Sequence, residues 1–151
     1  MKIQSFTDEY FMKQALAEAR QASIEGEVPV GAVVVCNDRI IARAHNRTEH
    51  LNDPTAHAEM LAITAATGVL GAKYLTNCTL YITVEPCVMC AGAIGWAQIG
   101  TLVFGATDEK RGYRIFAPKA LHPKTIVKTG ILEEDCTTEM KLFFQNKRQL
   151  K

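Results

Sequence analysis

The chain has 151 residues, the size of a single compact domain at about 150 residues each, long enough for a sizeable core without disulfide staples. Apolar residues make up 48% and charged ones 22%, which excludes disorder and low complexity. Lys plus Arg number 17 and Asp plus Glu 16, a net charge of +1, so any nucleic-acid partner has to be held by a local patch. The longest apolar run, Val28 to Cys36, falls short of the ~20 residues a bilayer requires, so no membrane span is expected. Met1-Lys2-Ile3-Gln4-Ser5 carries no apolar stretch ahead of a small-residue cleavage site, so no signal peptide is visible. Five cysteines, an odd number in such a chain, point to the cytoplasm and to metal binding or catalysis over disulfides.

Along the chain, Phe11, Ala15, Ala19 and Ala22 recur at helical spacing, predicting a helix from about Asp8 to Glu25 that stops at Gly26. Pro29 to Cys36 is a near-continuous apolar strand covered on both faces. Asn37-Asp38 signals a two-residue hairpin, and Arg39 to about Ala44 returns as its partner. A short helix begins near Asp53 and fades around Gly68. Cys78 to Val84 is a third strand, Cys87 to about Ala97 a helix that Pro86 can open, and Thr101 to Gly105 a fourth strand. Ala106 to Lys124, with Gly112, Pro118 and Pro123, is loop-rich, and Thr125 to Lys128 is a fifth strand. The final helix, about Glu134 to Lys147, carries a stripe of Cys136, Met140, Phe143 and Phe144. Helices interleaved with strands, after one hairpin, make a three-layer α/β domain with a mixed sheet.

Cys87-Val88-Met89-Cys90 carries the most chemistry. Residues i and i+3 share a helix face, so both sulfurs can reach one metal ion, and a helix N-terminus favours the thiolate that zinc requires. A redox dithiol fits the same spacing. A structural zinc site would need a fourth ligand, and His45 and His50, spaced five apart, stand at a strand end and in a polar loop. His57-Ala58-Glu59 lies 30 positions before Cys87. One His and two Cys on zinc leave a fourth position for water, the mark of a catalytic site. Two thiolates weaken that zinc as a Lewis acid, so a base is needed, and Glu59 stands close by in sequence. In mid-helix, residues two apart diverge, so His57 and Glu59 converge only if His57 sits in the first turn, with Thr55 a suitable cap.

His57-x-Glu59 followed by Pro86-Cys87-x-x-Cys90 resembles the zinc-dependent nucleoside and base deaminases. The resemblance is nearer to the bacterial tRNA-specific adenosine deaminases and spans most of the chain. It rests on Gly26 to Val33, Asn46-Arg47, Asp53 to Glu59, Glu85 to Ala93, Gly105-Ala106 with Asp108, Lys110 and Gly112, and Leu132 to Arg148. It implies a cytidine deaminase-like α/β/α fold around a five-stranded sheet, one zinc per subunit on His57, Cys87 and Cys90, and Glu59 as proton shuttle. The implied reaction is hydrolytic conversion of adenosine to inosine at the wobble position of a tRNA anticodon, by attack of a zinc-held hydroxide on C6 of the purine. Val30, Asn46, Ala58, Pro86, Asp108, Lys110, Phe144, Lys147 and Arg148 take the places of substrate-binding residues, and a homodimer is implied.

The chain departs from that family at Ala97-Gln98, where a Ser-Arg pair is common, and Trp96-Ala97 is nearer to guanine deaminases. Val30, Val88 and Ala91 point the other way, since guanine deaminases commonly have Phe, Pro and Leu there. A guanine or cytosine deaminase acting on the free base is the alternative enzyme, and a zinc-stabilised module without turnover the alternative of another class. Six basic residues between Asp108 and Lys128 against two acidic ones offer a phosphate-binding patch, which Lys147, Arg148 and Lys151 extend. Cys36, Cys78 and Cys136 are ordinary buried thiols.

Overall fold

The computed structural model describes residues 6–149. Met1–Ser5, where no signal peptide is expected, and Lys151 of the basic tail lie outside the described residues. In chain order the elements are α1 (Asp8–Ile24), β1 (Gly31–Cys36), β2 (Arg39–His45), α2 (Ala58–Leu70), β3 (Cys78–Val84), α3 (Val88–Ala97), β4 (Thr101–Ala106), α4 (Tyr113–Phe116), β5 (Ile126–Thr129) and α5 (Glu133–Gln149). The five strands form one sheet in the order β2-β1-β3-β4-β5. β1 is antiparallel to β2 and β3, whereas β3, β4 and β5 run parallel, so the sheet is mixed.

Strand alternation sorts the core into two halves. Ala32, Val34, Leu80, Ile82, Leu102 and Phe104 face α2, α3 and α4, where Ala58, Ala62, Ala66, Ala91 and Ile94 meet them. Val33, Val35, Tyr81 and Val103 face the other way, against Phe11, Met12, Ala15 and Leu16 of α1 and Cys136 of α5. The result is the expected α/β/α sandwich. No described helix is long and apolar enough to cross a membrane.

Local chemistry sets the ends of the elements. Thr7 Oγ1 accepts the Tyr10 N–H at 3.1 Å and caps α1. Asn37 and Asp38 take φ of 53° and 60°, the left-handed pair that a tight hairpin turn uses. β1 begins at Gly31, not Pro29, and α2 runs past Gly68 to Gly71, whose φ of 62° ends it. α2 also starts later than Asp53, because the Asp53 carboxylate accepts both the N–H and the hydroxyl of Thr55 at 2.8 Å. That local turn competes with helix, and Thr55 is therefore not its cap. Pro86 precedes the cap of α3 instead of opening its first turn, and the loop-rich stretch holds the short helix α4.

Helix α1 lies directly on the start of β1. A Cβ at Gly31 would meet Ala15 O at 2.0 Å and Ala19 N at 2.4 Å, both helix backbone. Gly31→Ala is expected to destabilise the fold by about 3 kcal/mol, as overpacking of a tight interface does. A lowered urea midpoint at unchanged slope is the readout.

Candidate metal centre and active site

One end of the sheet gathers the site. Val30 precedes β1, Asn46 follows β2, Glu85 follows β3 and Asp108 lies just past β4, while α2 and α3 both begin there. His57 is the cap residue of α2, in extended backbone at φ −74° and ψ 154°, and Cys87 is that of α3 at φ −73° and ψ 175°. His57 thus stands outside the helical spiral and Glu59 within the first turn. This resolves the divergence of residues two apart: His57 is itself the cap, not a first-turn residue capped by Thr55.

His57 Nδ1 lies 3.7 Å from Cys87 Sγ and 3.5 Å from Cys90 Sγ. Tetrahedral zinc with bonds of about 2.3 Å to sulfur and 2.0–2.1 Å to nitrogen sets those atoms about 3.6 Å apart. The three residues therefore fit zinc as they stand, with their ligand atoms all within 4.8 Å of one another. Among the described residues no fourth such side chain joins them, which leaves one coordination position open.

The electrostatics suit the metal. A hydrogen bond from Cys90 draws the Cys87 thiol down to about 4, against the opposing effect of burial and with further help from His57. Cys90 is correspondingly pushed up, by that bond and by burial. Hydrogen bonding to Cys87 raises His57, opposed by burial. The downward direction at Cys87 favours the thiolate form that zinc ligation requires. Glu59, 4% exposed, is pushed up to about 7, chiefly by burial and also by the Cys87 charge, while backbone N–H donation and His57 pull it down. A carboxyl in that range can take up and release a proton near neutrality.

A cavity of about 300 Å³ opens onto these groups. The structure brings Val30, Asn46, Ala58 and Asp108 together in its wall with His57, Glu59 and Cys87. Pro86, Lys110, Phe144, Lys147 and Arg148 stand outside that lining. Phe143 is buried and Phe144 is 39% exposed, so the aromatic pair is split. Lys147 lies over the Phe143 ring, 5.6 Å from its centroid.

Asn46 is fixed by donation of Nδ2 to Val28 O at 3.3 Å and acceptance of the Thr48 N–H at 3.4 Å. Behind it, the Glu27 carboxylate accepts the N–H groups of Glu49 and His50 at 3.0 and 2.8 Å. Burial raises the Glu27 carboxyl, but these donors and the His50 imidazole outweigh it and hold the group below its ordinary value. His45 sits between Glu18 at 3.2 Å and Glu25 at 3.1 Å, and His50 lies 3.3 Å from Glu27. Both imidazoles belong to this acidic cluster and not to the metal centre. Asp108 Oδ1 accepts the N–H groups of Lys110 and Arg111 at 3.0 and 2.9 Å, so it also shapes its own turn.

Five wall residues carried no assigned role in the sequence: Val28, Thr48, Val84, Glu85 and Met140. Glu85 had a signal, adjacency to Pro86-Cys87, whereas Met140 is indistinguishable from core in the α5 stripe. The basic stretch is not one patch. Arg114 pairs with Glu85 at 3.3 Å and Lys128 with Asp8 at 3.2 Å. Lys124 lines a separate cavity with Thr76 and Gly100, at the end of the sheet where β4 and β5 begin.

Residues 5–106 match the family described as the cytidine and deoxycytidylate deaminase zinc-binding region. A tRNA-specific adenosine deaminase of Bacillus subtilis (strain 168) is 44% identical over 149 residues, covering 95% of this chain and 92% of the relative. A solved structure from a study of A-to-I editing by tRNA:A34 deaminases superposes with a TM-score of 0.80 at 44% identity, covering 86% of this chain and 98% of the other. The guanine deaminase structure from Bacillus subtilis has a TM-score of 0.65 at 43% identity, covering 68% of this chain and 66% of that one. A zinc-ready His/Cys/Cys centre on an α/β/α sandwich and likeness along nearly its whole length place this chain in the cytidine and deoxycytidylate deaminase zinc-binding family, alongside the tRNA-specific adenosine deaminases.

Proposed function

We propose that this protein hydrolyses adenosine to inosine at the wobble position of a tRNA anticodon, with zinc as its cofactor. The observation that carries the choice of substrate is the extent of the likeness. The tRNA-specific relative is 44% identical over 95% of the chain, whereas a guanine deaminase structure that covers 94% is 24% identical and the one at 43% identity covers 68%.

Zinc, when bound on His57, Cys87 and Cys90, acidifies the water in its open position and makes it a nucleophile at neutral pH. Glu59 does the proton work. Its carboxylate takes a proton from the attacking water, delivers it to the ring beside C6, and carries the next one to the departing amine. The C6–N bond breaks, ammonia leaves, and the water oxygen remains as the inosine carbonyl. The Asn46 amide hydrogen-bonds the target nucleotide. The Ala58 N–H, at the first position of α2, has no acceptor inside the helix and is available to an oxygen in the pocket. Val30 and Pro86 help shape the base site, while Asp108, Lys110, Phe144, Lys147 and Arg148 engage the flanking RNA. An anticodon loop is already single-stranded, so turning its base into a small cavity is easier than extrusion from a duplex.

The protein acts in the cytoplasm as a homodimer. The layer of α2, α3 and α4 supports that assembly, since it displays Trp96 at 86% exposure together with exposed Val69, Val88 and Phe116. Trp96→Arg is expected to shift the chain to a monomer in sedimentation velocity.

Three outcomes test the enzymatic reading. Anticodon stem-loops with A at the wobble position are converted to inosine, while stem-loops with G there, free guanine and free cytosine are unchanged; reaction of the free bases alone would overturn the tRNA assignment. Glu59→Gln is expected to lower turnover by at least 10²-fold while zinc content, read by atomic absorption, stays at one per chain. Chelator treatment abolishes conversion, and added zinc restores it.

A further inference from the structure

A second buried carboxylate stands at the site and takes no part in the proton transfers. Glu85, 5% exposed, lies two residues before Cys87 and grips the segment from Asp108 to Arg114. Its Oε1 accepts the Asp108 N–H at 3.1 Å and Arg114 Nη2 at 3.3 Å, and its Oε2 accepts the Arg114 N–H at 3.1 Å. The Arg114 guanidinium also lies 5.1 Å from the centroid of the Phe104 ring. Gly112 closes over the carboxylate so tightly that a Cβ there would meet Glu85 Oε2 at 2.3 Å and Asp108 O at 2.5 Å. Backbone contacts complete the clasp, with a bridge between Cys87 and Gly112 and donation from the Tyr113 N–H to Pro86 O at 2.9 Å.

A buried Glu–Arg pair is commonly only structural. What this one holds argues for more. The clasped segment carries Asp108 in the wall of the catalytic cavity, and Arg111 lines a neighbouring cleft that also reaches Cys87. Lys110 and Arg111 are both exposed. Glu85 thus ties both ends of a loop bearing groups suited to phosphate and ribose, adding to the turn that Asp108 makes and to the backbone contacts.

We propose that Glu85 is a positioning residue for nucleic-acid recognition: it holds the Asp108–Arg114 loop in the shape that sets Asp108 against the bound nucleotide and presents Lys110 and Arg111 to the phosphates beside it. This rests on the tRNA reading above. None of the side-chain hydrogen bonds of Glu85 goes to His57, Glu59 or Cys90, so its loss frees the loop without removing a metal ligand or the proton shuttle. Saturating RNA re-forms the loop around itself, which confines most of the defect to binding.

The test uses the full-length, zinc-loaded protein and an anticodon stem-loop with A at the wobble position. Glu85→Ala is expected to raise KM at least tenfold with kcat within threefold of the parent and zinc still at one per chain. Glu85→Gln retains one acceptor oxygen and gives an intermediate rise, a graded rescue that follows the hydrogen bonds. The salt dependence of stem-loop binding becomes shallower as phosphate contacts are lost. Gly112→Ala, which crowds the same carboxylate from the other side, reproduces the KM effect and decides the matter if Glu85→Ala does not fold. An unchanged KM in zinc-loaded Glu85→Gln and Gly112→Ala, or a fall in kcat alone, overturns the proposal. Failure of the tRNA reading is distinguishable, because the parent protein then leaves the stem-loop unconverted.

Discussion

The start of two helices at the same end of one sheet is the constraint on which this molecule's chemistry depends. α2 and α3 pack side by side on the sheet through small residues, Ala58, Ala62 and Ala66 on one and Ala91 and Ala97 on the other. Their cap positions are filled by His57 and Cys87, neither of which makes the usual side-chain bond to its own helix. The extended backbone at a cap lets the side chain leave the helical spiral and turn toward the neighbouring helix. One imidazole and one sulfur therefore meet, and Cys90 joins them from the first turn of α3. The positive ends of both helices favour the thiolates that zinc requires.

This arrangement has a stability cost that the rest of the fold offsets. Glu59 is a buried carboxyl whose charged form is disfavoured by its surroundings, the opposite of what a stability-optimised core would contain. Two uncapped helices start at the same point. Against that, β1 and β3 lie within the sheet and contribute nearly continuous apolar runs to both faces. Burial of apolar area, rather than the polar site, carries the fold.

Elements whose residues repeat with a clear period were legible in the sequence. α1, the β1–β2 hairpin, β3 and α3 stand within a few residues of where periodicity and turn chemistry put them. The metal ligands were legible for a different reason: Cys-x-x-Cys and His-x-Glu restrict the chemistry before any fold is known. Features that depend on position in space were not. The late start of α2 follows from the hydrogen bonds of Asp53, which compete with helix and leave no periodic trace. Met140 has the spacing of a core residue, yet α5 carries it to the cavity wall. The basic residues after Asp108 are close in sequence but divide between the two ends of the sheet, because the chain crosses from the end of β4 to the start of β5 within that stretch.

That division bears on how a chain of net charge +1 handles a polyanion. Arg20, Arg114 and Lys128 are each paired, with Glu139, Glu85 and Asp8. Among the described residues Lys110 and Arg111 enter no such pair, and the loop that carries them also lines the cavity through Asp108. Unpaired positive charge therefore stands on the loop beside the cavity. Such a local field orients a charged ligand at short range and is screened beyond about 8–10 Å at physiological salt. On the proposed reading, selectivity rests on coincidence: a phosphate reaches the loop while an unstacked base reaches the cavity, a requirement that a free base cannot meet and a tightly bent single-stranded loop can.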